Sequence, residues 1–576
     1  MSDQPADLAD GLRQPGDSQP VGELTQTVVA VERGLAKPRR RPARQLASET
    51  VDLGREVVGL VRTHSAPICL VVTIIGIVIW ATVFSVLGVR NHRNFGTWAY
   101  DMAIYDQAMW LVSQGGSTFM TVRGLDVWGH HVNLVAYLLA PFYRLGAGPE
   151  FLYIVQNVSI AIGALPVYLI AKHRFGKPAL GLMFAVAYLL YAPAQWVAWV
   201  NFHPEALVIT PFLFAWYFYL RRWLAWFWIA VGTVLIMRED AALAVMMMGV
   251  VLLLTDRRSA TRRADLRTAA MTVAVGFAWY AIATQIVIPH FNNGEPPFYM
   301  SWFFAHYGGT FLGIVETILR HPDRLVSDAT QPDRIRFYRD LTLPLGGFAV
   351  LSPVHLLMAA PTMLASIIGS SPFARQIRYQ YTSIMIAPIL IASIEGARWL
   401  WKFARARVFL ALWLLACVYV TNVAWSPSPI GNAYGVWRRD DVHAEALRDA
   451  VAVVPDGAAV SSSFNIGPHL SRRRASYDWP NPFWPAYWGQ SGTDCGMLPS
   501  PSEIDYIALD LNYYQGDGAL YPEEGPFIDS LIAEDGEFEV IFEEDNVIVA
   551  RRVKPGPDGV PLPPNCPGTN PLAPVA

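Results

Sequence analysis

Long uninterrupted apolar runs dominate this chain, and they leave it few ways to fold. A helix needs about 20 mainly apolar residues to cross the hydrocarbon of a bilayer. Pro67–Val89 is the first such run, followed by Phe151–Ala171, Pro178–Val200, Ala206–Leu220, Trp223–Met237, Ala241–Leu254 and Ala269–Pro289. After a polar stretch come Leu341–Ser352, Leu356–Ile368, Ser383–Ile394 and Val408–Ala424. That makes about eleven candidate spans, the pair around Pro353 being readable as a broken or re-entrant helix. Composition agrees: 53% of the residues are hydrophobic and 16% charged, against about 25% charged in an ordinary soluble chain. A polytopic α-helical membrane protein is expected. A cytosolic enzyme, a nucleic-acid binder and a secreted disulfide scaffold are excluded.

Basic loops set the orientation, because Lys and Arg concentrate in short cytoplasmic segments. Placing the N-terminus inside puts segments 1–66, 172–177, 221–222, 256–267 and 395–407 in the cytoplasm, and every short basic loop then falls on one side. An odd number of spans sends the C-terminus outside. His131–Arg144 is too short and too polar at its start to span, so it is expected as an interfacial helix on the outer face.

Residues 1–66 read as a disordered cytoplasmic tail, and residues 67–424 as the membrane domain with outer loops 90–150 and 290–340. The cluster Lys37–Arg44 is a topology signal or a contact for anionic lipid. Residues 425–552 alternate helix and strand patterns and are expected to form a small extracytoplasmic α/β domain. No phosphate-binding glycine loop opens its helices, which favours an accessory role. Residues 553–576 form a Pro-rich tail. Cys69 and Cys417 lie within spans as packing residues. Cys495 and Cys566 fall outside the membrane, where a disulfide between them competes with two free thiols.

Ionisable groups at the membrane are functional candidates, and they cluster on the outer side. Asp101 and Asp106 lie in an aromatic segment. Five residues of regular helix turn them about 140° apart, so one faces a cavity and the other caps or braces. His130 and His131 open the interfacial helix, and two adjacent histidines diverge too far to favour a shared metal. His203-Pro204-Glu205 forms a turn between spans. Arg238-Glu239-Asp240 interrupts the apolar stretch Trp223–Leu254 and must be the tip of a tight hairpin needing partners or a polar cavity. His306-Tyr307 lies in loop 290–340, and Arg375, Arg378 and Tyr379 precede a span. Arginines here run against the positive-inside bias; a guanidinium fork matches phosphate, with lipid headgroup contact as the plainer use.

The run Tyr100-Asp101-Met-Ala-Ile-Tyr-Asp106-Gln107, with His131, Asn201-Phe-His203-Pro-Glu205, Arg238-Glu239-Asp240 and His306-Tyr307-Gly, resembles an uncharacterised bacterial family of polytopic membrane proteins over about residues 90–550. Tyr100 stands where that family's signature has Phe, and Arg238 where Lys is usual. The wider layout is similar to the GT-C superfamily of membrane glycosyltransferases. That resemblance implies a polyprenyl-phosphate-linked sugar as donor and a general base in the first outer loop. It also implies inversion at the anomeric carbon and an Arg/His set for the lipid phosphate. By position the base is Asp101 or Asp106, with Asp101 preferred because it opens the signature. His130, His131, His203, Glu205, Arg238, Glu239, Asp240, His306, Tyr307, Arg375, Arg378 and Tyr379 are then candidates for binding substrate. No Asp-x-Asp metal motif occupies an outer loop, so neither metal nor cofactor is expected. The expected partners are the sugar lipid, membrane lipids and an acceptor of unspecified class, with no nucleic acid. The rival readings are a flippase or transporter of lipid-linked envelope precursors, and a catalytically silent assembly partner. Absence of an internal repeat counts against transport.

The orientation is directly measurable. A reporter active only outside the cytoplasm should work when fused after residue 430 and fail when fused at residue 260. The reverse pattern would overturn the assignment.

Overall fold

The computed structural model describes residues 43–255, 262–437, 442–490, 498–514 and 523–555. Cys495, Cys566 and residues 37–42 lie outside these ranges, as does the Pro-rich tail from residue 556. The chain divides into Met1–Ser65, of which the helical residues from Ala43 onward are described, and Ala66–Ala576. The following concerns the second unit.

The protein is a multi-pass membrane protein, mostly helical, with a small sheet domain at its C-terminal end. Among the described residues, five helices are long and apolar enough to cross a membrane: Ser65–Arg93, Pro149–Phe175, Asp265–Phe291, Gln380–Leu400 and Ala404–Trp425. A sixth candidate is the pair Pro178–Leu189 and Ala192–Trp199, bent by 44°. Shorter apolar helices are Pro204–Leu220, Leu224–Leu235, Ala241–Thr255 and Pro353–Ile368.

The bend has an identifiable cause and an identifiable compensation. Pro193 has no N–H and cannot continue the ladder from the preceding helix, and carbonyls freed away from water need other donors. Leu189 O accepts from Trp80 Nε1 at 2.8 Å and from Gln195 Nε2 at 2.8 Å. Leu190 O accepts from Asn422 Nδ2 at 2.9 Å. Leu341–Ser352, expected as a span, instead forms two short 3-10 turns, Leu343–Leu345 and Phe348–Leu351. Apolar composition fitted a helix, but Pro344 and the pair Gly346-Gly347, both at φ +70°, break it.

At one end of the bundle the basic loops are tied by ion pairs, Arg174 with Glu395 and Arg222 with Asp265. The other end carries the two long loops and the C-terminal domain. Here the helix Ala136–Tyr143 buries Ala136, Leu139 and Tyr143 and exposes Tyr137, Leu138 and Phe142. Phe311–Arg320 likewise exposes Phe311, Leu312, Val315 and Leu319 along one side. Both are helices of the kind that lie in a bilayer surface. His131 does not open the first of them: it sits in extended backbone after the short helix Val127–His130.

Two strands, β1 (Phe119–Met120) and β2 (Leu125–Asp126), form a hairpin in the first loop. The C-terminal sheet contains β3 (Val460–Ser462), β4 (Ser476–Asp478), β5 (Tyr506–Asp510), β6 (Phe538–Glu544) and β7 (Val547–Arg552), in the order β4-β3-β5-β7-β6. β3 pairs in parallel with both β4 and β5, and β7 is antiparallel to β5 and β6. In open sheets of this kind the carboxyl ends of parallel strands are the reactive edge. That edge is turned onto the first long loop. Ala99 N donates to Phe464 O at 2.9 Å, just beyond β3. Tyr100 OH donates to Ala486 O at 2.6 Å, and Arg123 Nη1 to Gly489 O at 2.9 Å, both beyond β4. Gly124, at φ +67°, makes room for Trp488, whose ring would lie 2.4 Å from a Cβ.

The seam is closed from behind by Asp106. Its carboxylate is fully buried and accepts from Tyr143 OH and from Ser471 Oγ, each at 2.7 Å. Burial raises its pKa to about 6, against the opposing hydrogen bonds from Ser471 and Tyr143. A carboxyl raised in the folded state stabilises below its unfolded value, and that contribution is lost as pH rises through the folded value. The melting temperature of purified protein should therefore fall between pH 4 and 7 by about 2 °C or more relative to Asp106→Asn. Parallel curves for the two proteins would refute this.

Candidate functional site

The loop helix opens with a π-helical turn, Ala99–Ala103, after the extended Trp98. An extra residue in a helical turn re-aims the side chains that follow it, and such turns recur at functional sites. Asp101 thereby points one way and Asp106 the other, into the seam.

Asp101 meets the extended segment Asn201–His203. Asn201 Nδ2 donates to Asp101 Oδ2 at 3.3 Å, and Tyr153 OH donates to Asn201 Oδ1 at 3.2 Å, fixing the amide. His203 Nε2 lies 3.1 Å from Asp101 Oδ1. His203 Nδ1 lies 2.8 Å from the carbonyl of Asn201. The backbone N–H of His203 donates to Gln156 Oε1 at 2.8 Å, so the ring is held from both ends. Both ring nitrogens face acceptors, and only an imidazolium can donate from both. Burial pulls the His203 pKa down, but the Asp101 carboxylate, the hydrogen bond to it and Glu205 outweigh burial and raise it. Asp101 keeps 18% of its side chain exposed, while the ring beside it keeps 3%. The pair is thus an oriented carboxylate with one reachable edge.

Tyr105 packs edge-on to His203, with ring centroids 5.5 Å apart. Arg238 pairs with Glu205 and approaches Asp240, with Nε 3.3 Å from Oδ1. Glu205 Oε2 has no hydrogen-bond partner. Glu239 is fully buried and accepts from Val132 N at 3.0 Å and from Tyr299 OH at 3.2 Å; its Oε1 lies 2.7 Å from His131 Nδ1. Stacking of His131 on Tyr299 and of His130 on Phe298 fixes the same corner. Tyr379 and Tyr381 lie within electrostatic reach of Asp101. Arg378 is exposed and sits 5.0 Å over the Trp196 ring. Trp196 continues edge-to-face into Trp199 and then Trp98.

The structure thus gathers Asp101, His203, Glu205, Arg238 and Asp240 around one centre, joined to His131 through the neighbouring Glu239, with Tyr379 and Arg378 nearby. Other candidates lie elsewhere. Asp106 is in the seam. Tyr307 OH donates to Asp328 Oδ2 at 2.6 Å under the Arg324 guanidinium, with exposed His306 beside it. Arg375 is taken up by Asp333 Oδ2 at 2.7 Å and Gly369 O at 2.6 Å. Sequence reasoning missed Tyr105 and Tyr153 as parts of the centre. Both lie in helical apolar contexts where a tyrosine reads as packing. Among the described residues no three His, Cys, Asp or Glu side chains are placed to hold a metal ion.

A stability readout tests the imidazolium. With its pKa raised above the ordinary 6.5, His203 stabilises fully below that value and loses the contribution as pH rises through its folded value. Between pH 6 and 9 the wild-type melting temperature should fall, and in Asp101→Asn that pH-dependent fall should be largely abolished. Equal slopes would show that the ring is not charged.

Solved structures similar to this chain include ArnT from Cupriavidus metallidurans in the apo state, at 13% identity and TM-score 0.47, covering 83% of this chain and 97% of that one. The same protein bound to undecaprenyl phosphate gives 12% identity and TM-score 0.44, covering 84% and 99%. The oligosaccharyltransferase of Archaeoglobus fulgidus in complex with Zn and sulfate gives 13% and 0.45, covering 83% and 73%. None of the curated proteins compared matches the chain. A family model described as "Predicted membrane protein (DUF2079)" matches residues 91–549.

Proposed function

The chain belongs to the DUF2079 family of predicted membrane proteins, and from that premise we propose that it is a glycosyltransferase working at the membrane surface. It takes a sugar from a polyprenyl-phosphate donor, on the extracytoplasmic face of a bacterial plasma membrane, with the N-terminus inside. The observation that carries this reading is the Asp101 carboxylate, oriented by Asn201 and His203 yet reachable from outside. The GT-C-like layout read from the sequence supports the same chemistry.

An acceptor hydroxyl donates to the open edge of Asp101. As its oxygen attacks the anomeric carbon, the proton passes to Asp101. The bond from that carbon to the phosphate oxygen breaks on the opposite face, and the electron pair leaves with the phosphate. The product is inverted. His203 is a positioning residue, aiming the carboxylate. Arg238 is paired with Glu205 and lies beside Asp240, though its Nε makes no hydrogen bond, so it acts as a strut of the wall. The guanidinium assigned to the phosphate is Arg378, which is exposed and anchored over the buried Trp196 ring.

The test uses membranes from cells fed a radiolabelled monosaccharide, following label from the lipid-extractable fraction into envelope polymer. Asp101→Asn should lower transfer by about 10²-fold or more with little change in donor affinity, because a base acts in the transition state. Arg378→Ala should instead weaken donor binding by about tenfold. Full transfer in Asp101→Asn would refute the base. Movement of labelled lipid across vesicles without bond cleavage would replace the enzyme with a flippase.

A further inference from the structure

Opposite Asp101, on the other side of the loop helix Ile104–Gln114, a cavity of about 270 Å³ opens in the seam between the first long loop and the C-terminal domain. Trp110 and Tyr143 line it from the loop side, and Asp456, His469, Arg472 and Arg473 from the domain side. None of its lining residues belongs to the Asp101 centre.

Its polar groups are unevenly satisfied. Arg473 is 6% exposed, and its Nη1 donates to Ala458 O at 2.9 Å, but its buried Nε has no partner. Arg472 is exposed and reaches only Ala147 O, at 3.5 Å. Against these two guanidinium groups the cavity wall sets the Asp456 carboxylate, with the buried Asp106 behind Tyr143 within electrostatic reach of Arg472. A buried donor left unmade costs about 1–3 kcal/mol, so an anion here would meet an unfilled need. His469 is stacked between His92 at 4.2 Å and Phe95 at 4.0 Å. Burial holds its pKa well below the ordinary value, and the ring hydrogen-bonds to the backbone of His92. A neutral ring that donates there keeps its second nitrogen as an acceptor, and Nε2 has no partner. The wall therefore offers cationic donors for an anionic group and the Trp110 indole as a flat apolar surface. The volume lies just below the range of about 300–1,000 Å³ that holds drug-sized ligands.

The geometry points to a binding site for a small anionic saccharide, a single sugar unit bearing a phosphate or a carboxylate, in the cavity between Trp110 and Arg472–Arg473. It is separate from the Asp101 centre and does not depend on the reaction proposed for it. An occupant would bridge the loop helix and the domain across the seam that Asp106 also closes.

The test is calorimetric titration of the full chain in phosphatidylcholine nanodiscs, with glucose 6-phosphate, glucuronate, glucose and inorganic phosphate as probes. The charged sugars should bind at least tenfold more tightly than glucose and than inorganic phosphate. Arg472→Ala, at an exposed position, should weaken them at least tenfold and leave the melting temperature unchanged. Arg473→Met should do the same if it folds, and Asp101→Asn should have no effect. Replacing part of the phosphatidylcholine with phosphatidylglycerol should not alter the titration. Equal binding of glucose or of inorganic phosphate, wild-type binding in Arg472→Ala, or competition by phosphatidylglycerol would each overturn the assignment, the last by giving the arginines to a lipid headgroup.

Discussion

Two acceptors on one imidazole organise the centre of this protein. The Asn201 carbonyl and the Asp101 carboxylate each need a proton from His203, and the ring satisfies both only by carrying a charge. The placement of that ring rests in turn on Gln156, which takes its backbone N–H, and on the extended segment that Pro204 ends by opening a 3-10 turn. Glu205 on that turn fixes Arg238, and the hairpin tip around Arg238 fixes Glu239, which holds the His131 strand and Tyr299. Charges that would be costly near a bilayer are thus made tolerable in a chain of neighbours. At one end of that chain Asp101 keeps an edge free.

Much of the bundle was legible because bilayer length and apolar runs are a strong code. The code failed where local backbone overrode composition. Leu341–Ser352 is apolar enough to span, yet Pro344 and the two left-handed glycines coil it into 3-10 turns. In the C-terminal domain the hairpin Phe538–Arg552 announces itself by alternation. Strand β4 does not: its three residues are Ser476, Tyr477 and Asp478, all buried, and they carry no strand-like pattern. Regular helix geometry led to the expectation that Asp101 and Asp106 diverge, but the π-helical turn Ala99–Ala103 that holds Asp101 was not foreseen. Which of them meets the histidine was not legible, because Asp101 is taken by His203, 102 positions on, and Asp106 by Ser471, 365 positions on. Tyr153 and Tyr105 were invisible as site residues for a similar reason, since their partners arrive from other helices.

The first long loop is a layer between two scaffolds. Its π-turn offers Asp101 to the bundle, its helix offers Asp106 to the domain, and its hairpin offers Arg123 to the loop beyond β4. The carboxyl edge of the sheet, which in free-standing α/β domains takes a ligand, here takes a piece of the same protein. The described residues of the C-terminal domain thereby hold the loop that carries Asp101.

That arrangement sets an order of events during biosynthesis. Tyr100 finds Ala486 across 386 positions, and Gln107 finds Arg473 across 366. The loop leaves the ribosome early and waits, while most of the remaining chain is inserted, for partners that are translated last. Contacts this distant form late because the intervening chain must be closed first. A nascent or truncated copy therefore carries Asp101 on a loop that lacks its C-terminal partners, and the seam closes only when translation is essentially complete.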